Sequence, residues 1–196
     1  MRDKSDHYTL RAKKEGYPAR SVYKLEEIQR KYNLITPGMN VLDLGAAPGS
    51  WSLFVLKKLG GRGSVTAVDL CPAKTLAGRG KVFPIRGDFT DPEIRKRIAE
   101  RGPYDCILSD AAPATTGNRT VDTGRSYTLA AVILDIVAGM LRPGGSSAIK
   151  IFQGGDEREL LERMRKMFDS ARQIKPKASR KESFEVFLIG TGFTGG

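Results

Sequence analysis

An α/β domain built on a mainly parallel, doubly wound sheet is predicted by three features of the chain. Short apolar runs alternate with amphipathic stretches through most of the sequence, the pattern of strands joined by crossover helices. Residues 39–51 carry a short apolar run that ends in an acid, Asp43, pass through a turn containing Gly45, Pro48 and Gly49, and enter an amphipathic stretch from Ser52 to Leu59. A buried strand, tight loop and helix in that order open doubly wound folds, whose ligands sit beyond the carboxyl end of the first strand. Four runs also close on acids, Asp43, Asp69, Asp88 and Asp110, and in a parallel sheet those ends share one edge. At 196 residues the chain suits one domain. Residues 1–33 read as a basic arm and helix, and residues 34–196 as a Rossmann-like core.

Taken in order, residues 1–17 are polar and basic, with Arg11, Lys13 and Lys14 close together, and read as a loose arm or frayed helix. After Pro18, Val22, Leu25, Ile28 and Gln29 keep helical spacing to about Tyr32. Thr36-Pro37-Gly38 turns into strand 1, and Gly60-Gly61-Arg62-Gly63 leads from the next helix to strand 2, Ser64 to Leu70. Residues 71–80, rich in Gly, Pro and Lys, are too short and broken for a full crossover helix. Strand 3 spans Lys81 to Ile85. Asp91-Pro92-Glu93 starts a helix, with an acid as cap and Pro at its first position, running to about Arg101. Strand 4, Tyr104 to Ser109, ends at Asp110. A polar loop to about Asp122 precedes an apolar helix that stops before Arg142-Pro143-Gly144-Gly145. Strand 5 is Ser147 to Phe152. A helix from Asp156 to Phe168, a short strand near Arg172 to Ile174 and a tail strand, Phe184 to Gly190, complete the pattern.

Composition narrows the chemistry. A net charge of +11 attracts polyanions, of which nucleic acid is the commonest; a generally basic soluble surface is the plain alternative. His7 is the only histidine, which removes Ser-His-Asp and Cys-His hydrolases and a His-rich metal centre; no metal is expected. Cys71 and Cys106 fall in no metal or redox spacing and read as buried thiols. No apolar run approaches the ~20 residues that span a bilayer, and the first residues lack the apolar segment of a signal peptide. A cytoplasmic monomer that does not engage membranes is expected.

The loop after strand 1 discriminates among ligands. A dinucleotide fingerprint needs three glycines, and here the positions read Gly45, Ala47 and Ser50; alanine fills the place where backbone must crowd a pyrophosphate. A phosphate loop needs Lys-Ser/Thr where Ser50-Trp51 stands. Acids before the loop and at the end of the next strand suit a cationic, hydroxyl-rich ligand instead. S-adenosylmethionine fits, because its sulfonium and amino groups want carboxylates and its ribose wants an acceptor such as Asp69.

Two charges stand inside otherwise apolar strands. Lys150 lies in Ala148-Ile149-Lys150-Ile151-Phe152, and Glu185 between Phe184 and Val186. A buried charge costs several kcal/mol unless paired, so mutual pairing of the two is expected; a lysine whose amine snorkels out at the strand end is the alternative. Lys24, on the N-terminal helix, is singled out by nothing in its spacing.

In this order, Arg20-Ser21-Val22-Tyr23-Lys24-Leu25, Asp43 to Gly49, Gly87-Asp88-Phe89, Ser109-Asp110-Ala111-Ala112-Pro113, Lys150-Ile151-Phe152-Gln153-Gly154 and Ser183 to Phe187 resemble the FtsJ/RrmJ family of RNA 2′-O-ribose methyltransferases. The resemblance runs from about Arg20 to Gly192. It implies a Lys-Asp-Lys-Glu catalytic set, Lys24, Asp110, Lys150 and Glu185. It implies S-adenosyl-L-methionine contacts at Asp43, Gly45, Pro48, Gly49, Trp51, Asp69, Asp88, Phe89 and Asp110, with S-adenosyl-L-homocysteine as product. It further implies a seven-stranded sheet with the last strand antiparallel. Among substrates it implies RNA, foremost a uridine of large-subunit rRNA, with tRNA, an mRNA cap or a non-catalytic ribosome-assembly role as alternatives. Two departures stand out. Ser50 replaces a common glycine, which should leave cofactor binding largely intact. Pro113-Ala114-Thr115-Thr116-Gly117 departs from Pro-Asn-x-Ser-Gly, which touches RNA-side contacts of that loop.

Overall fold

The computed structural model describes residues 5–78, 81–154, 156–180 and 182–195. Arg2 to Lys4 of the expected basic arm, and Gly80 at the end of the expected helix-free segment, lie outside the described residues. The chain runs through α1 (Ser5–Lys14), α2 (Val22–Tyr32), β1 (Asn40–Leu44), α3 (Ser50–Leu59) and β2 (Ser64–Asp69). After a single 3-10 turn, Lys74–Leu76, come β3 (Val82–Arg86), α4 (Pro92–Ala99) and β4 (Tyr104–Ser109). The chain continues through α5 (Arg119–Met140), β5 (Leu141–Phe152), α6 (Glu157–Met167), β6 (Phe168–Ile174) and β7 (Glu185–Phe193).

The strands form one seven-stranded sheet in the order β3-β2-β1-β4-β5-β7-β6. β1 to β5 pair in parallel, and β7 inserts antiparallel between β5 and β6, as expected. The winding reverses between β1 and β4, so the loops after these two strands flank the crevice where such sheets bind ligands. Gly45 makes that crevice possible. Its φ is +78°, and a Cβ there would lie 2.7 Å from Ala111 in the loop after β4, so only glycine lets the two loops meet.

Two apolar cores cover the sheet. On one face α2 and α3 bury Val22, Leu25, Ile28 and Val55 against Val41, Ala148 and Phe187. On the other, α5 and α6 bury Ile133, Leu134, Val137 and Met164 against Leu42, Ile107 and Leu188. Each fully buried side chain of this size stabilises by about 1.5–3 kcal/mol. Lys150, Phe152, Glu185 and Phe187 all belong to the α2 face, because Lys150 pairs with Phe187 and Phe152 with Glu185, and side chains alternate along a strand.

Four elements depart from the sequence reading. The N-terminal arm is a packed helix from Ser5: Arg11 lies 4.2 Å over the Tyr23 ring and 2.7 Å from Glu15, and Tyr8 packs 5.3 Å from Tyr23. α5 begins at Arg119, ahead of Asp122, because Asn118 caps it by accepting from the Thr120 and Val121 amides. α5 stops at Met140, before Arg142 as expected, but β5 starts at Leu141 and not at Ser147; Arg142 to Gly145 bulge outward within it, and the register slips between Tyr104 and Cys106. β6 starts at Phe168, where α6 stops, and packs Phe168 against Phe193 at 5.3 Å.

Candidate active site

The carboxyl ends of β1 to β4 and the middle of α5 enclose a cavity of about 590 Å³. Asp69, Asp88 and Asp110 line it with Gly45 and Phe89. Asp43 lies beneath its floor, fully buried, with one carboxylate oxygen accepting from the Ser52 hydroxyl at 2.6 Å. Burial, partly offset by Ser52 and reinforced by the nearby Asp110 and Asp69 carboxylates, pushes its carboxyl up to about 7. The four strand-end acids thus share one crevice, three on its wall and one below. Asp69 is held rigidly: its two oxygens accept from the Ala47 amide at 2.9 Å and the Cys71 amide at 2.8 Å.

A second cavity, about 420 Å³, opens where the start of α2 meets the segment before β7. Arg20, Lys24, Arg180 and Glu185 line it with Ser21 and Ser183. Between the two cavities lie the four side chains that the resemblance groups together. Lys24 Nζ is 2.7 Å from Glu185 Oε1 and 3.8 Å from Asp110 Oδ1. Lys150 Nζ is 3.0 Å from the same Asp110 oxygen and also donates to the Asp110 carbonyl. Asp110 therefore faces both amines. Burial pushes the Glu185 carboxyl up, but the adjoining Lys24 ammonium, with Ser179 and Lys150, outweighs it and holds the group below its usual range.

The expected direct pairing of Lys150 with Glu185 is replaced by two crossed pairs. The β5–β7 register makes them diagonal neighbours, a separation of about 7–8 Å, and Asp110 and Lys24 each come closer. Lys24 is the residue that local spacing could not find. It reaches the cluster because Val22, Leu25 and Ile28 pin α2 to the sheet at the level of the β5 terminus.

Pro48, Gly49 and Trp51 do not line the cavity. The Pro48 carbonyl accepts from Thr75 at 2.6 Å, and a Cβ on Gly49 would collide with the same hydroxyl. Trp51 is buried, donates to the Ser21 carbonyl at 3.0 Å and stacks on Phe187 at 5.7 Å. It fixes the start of α2 three residues before Lys24. Ser50 acts likewise: its hydroxyl accepts from the Ala19 amide at 2.8 Å and donates to the Ala19 carbonyl at 3.1 Å. Sequence reasoning also missed Arg125, Thr128, Leu129 and Val132 on the cavity wall; their three- and four-residue spacing marks one helix face. In the departing loop, Asp122 accepts from the Thr116 and Gly117 amides and the Thr116 hydroxyl, so a carboxylate organises that turn.

The donor set suits a nucleoside carrying positive charge. Asp69, Asp88 and Asp110 set three carboxylates on the cavity wall, and the buried Asp43 Oδ1 beneath them accepts no hydrogen bond from the described residues; such an atom wants a cation or a donor. The sheet order and this cavity define the class of S-adenosylmethionine-dependent methyltransferases. The FtsJ-like methyltransferase family model matches residues 17–193. A Treponema denticola protein named ribosomal RNA large subunit methyltransferase E is 50% identical over 97% of this chain and 96% of its own length. An Oleidesulfovibrio alaskensis protein of the same name is 44% identical over 100% of this chain and 95% of its own. Among solved structures, a Plasmodium falciparum chain described as a ribosomal RNA methyltransferase superposes with a TM-score of 0.79. It is 26% identical and covers 92% of this chain and all of that one. Aeropyrum pernix fibrillarin with bound S-adenosyl-L-methionine shares the fold at a TM-score of 0.63 and 18% identity, covering 87% of this chain and 76% of that one. The chain belongs to the FtsJ-like methyltransferase family and uses S-adenosylmethionine as methyl donor.

Proposed function

We propose that this chain, working as one methyltransferase domain, methylates the 2′-hydroxyl of a uridine in large-subunit ribosomal RNA. One observation carries the reading. Two amines and two carboxylates bridge an acid-lined cavity suited to a cationic nucleoside and a second cavity bearing Arg20 and Arg180. The relatives' names supply the substrate class. The reading puts the enzyme in the cytoplasm, where ribosomal RNA is modified, and takes it to act as a monomer.

When bound, S-adenosylmethionine supplies a methyl group already activated by the sulfonium. The protein must align the hydroxyl with it, a contribution that reaches about 7–11 kcal/mol in well-oriented reactions. Asp69, Asp88 and Phe89 line the donor cavity; the two acids would hold the nucleoside end of the donor, and Phe89 would supply apolar contact to it. Asp110 fixes Lys150 through its carboxylate and carbonyl together. Lys150 Nζ meets the 2′-hydroxyl, as base toward its proton or as donor toward the developing alkoxide. A pH–rate profile separates these roles, because only a base must start neutral. Lys24, locked by Glu185, approaches the same Asp110 oxygen as Lys150 and lines the cavity that receives the RNA.

Labelled-methyl transfer onto fractionated ribosomal subunits, free rRNA and tRNA, followed by nucleoside analysis, tests the reading. 2′-O-methyluridine in large-subunit RNA supports it. A methylated base, or label confined to tRNA, sinks it.

A further inference from the structure

Beside the four charged residues lies an aromatic and cationic cluster to which the chemistry above gives no role. Phe152 and Phe184 meet edge to face, ring centres 4.8 Å apart, and both rings are half-buried. The Arg119 guanidinium stands 5.4 Å from the centre of the Phe184 ring, and the same side chain donates to the Gln153 carbonyl at 3.4 Å. The Gln153 amide in turn donates to the Phe184 carbonyl at 2.7 Å. Three chain segments, the start of α5, the end of β5 and the entry to β7, are thus tied together around one ring. A solvent-reachable phenylalanine anchored by a backbone hydrogen bond through its carbonyl and faced by a guanidinium is a prepared surface.

Its place matters. Phe152 is two residues beyond Lys150 on the same face of β5 and pairs with Glu185, and Phe184 immediately precedes Glu185. Two residues along a strand is about 6.6 Å, the scale of a single nucleotide. Single-stranded RNA is held largely by stacking of bases on aromatic rings and guanidinium planes.

Resting on the 2′-O-methylation reading, we infer that Phe184, backed by Phe152 and Arg119, is the platform on which the base of the target nucleotide stacks while its ribose faces Lys150. Phe184 is then a positioning residue. It acts on any base through its π face, so it supplies affinity and orientation and leaves sequence choice to contacts elsewhere.

The test is a binding cycle that needs no methyl transfer. Affinities of the full chain for a short oligouridylate, and for a ribose-phosphate oligomer of equal length without bases, are measured at one salt concentration. Phe184→Ala should weaken oligouridylate binding about tenfold, within the range of base–aromatic stacking, and leave the baseless oligomer within twofold. Phe184→Tyr should match the wild type, whereas Phe184→Leu, apolar but unable to stack, should behave like Phe184→Ala. S-adenosylmethionine affinity in each variant reports folding, and the Tyr and Leu pair decides the question if the Ala variant fails that check. Equal losses for both oligomers, or full binding by Phe184→Leu, would overturn the inference. The wild-type methylation assay is read separately: its failure removes the 2′-O reading but not the binding result.

Discussion

The two cavities beside Asp110 are built from different parts of the chain and carry opposite character. The larger one is framed by parallel strand ends, and its acids, Asp69, Asp88 and Asp110, are each delivered by a different strand. The smaller one is framed by a helix start and by the segment before β7, and it carries Arg20, Lys24 and Arg180 against Glu182 and Glu185. The sheet supplies a rigid, negatively charged receptacle for a small cation. The surrounding segments supply a cation-rich mouth for a polyanion. Lys150 and Lys24 stand at the junction, so the division of labour is open to attack from either side.

The largest expected effect falls at the junction itself. Lys150→Ala should lower kcat about a thousandfold, within the range of positioned acid–base groups, with the S-adenosylmethionine Kd within twofold of wild type by calorimetry. Retained turnover would remove Lys150 from the chemistry. The next concerns the acid-rich floor. Asp43 has a folded pKa of about 7, above the ordinary carboxylate value of about 3.9. The folded state therefore binds the proton more tightly, and stability must fall as pH rises from about 4 to about 7, then level off. Asp43→Asn, which cannot ionise, should lack that decline and gain up to roughly 4 kcal/mol over wild type at pH 8, with no such gain at pH 4 in chemical denaturation.

A smaller effect separates the two cavities directly. Asp69→Ala should weaken S-adenosylmethionine binding about tenfold to a hundredfold, the loss of hydrogen bonds to a charged acceptor, while RNA affinity holds. Smallest is Arg180→Gln on the opposite side, which should reduce the salt slope of RNA binding by about one and leave the donor Kd unchanged. If Asp69→Ala weakened RNA as strongly as the donor, the two cavities would not be separate binding regions.

Legibility followed the range of the forces involved. The alternation of strands and helices was readable because periodicity and turn residues act within a few positions, as at Asp91-Pro92, where the Asp91 carboxylate accepts from the Glu93 amide as a cap should. The acids at the strand ends were readable for the same reason. The start of α5 was misread because Asn118 caps the helix from a loop that looks merely polar, and Asp122, already inside the helix, binds backward into that loop. The bulge at Arg142 to Gly145 was misread because only pairing with β4 shows that the strand resumes upstream.

By itself, the sequence determined a parallel α/β sheet, a crevice edged with acids and two charges embedded in apolar strands. Tertiary structure alone decided which charges meet. Lys24 joins Glu185 because α2 docks across the end of β5, and Trp51 supports that docking from beneath instead of lining the crevice. Partner choice among charges depends on strand register and helix docking, which are set by burial across the whole sheet. No local window of residues contains that information.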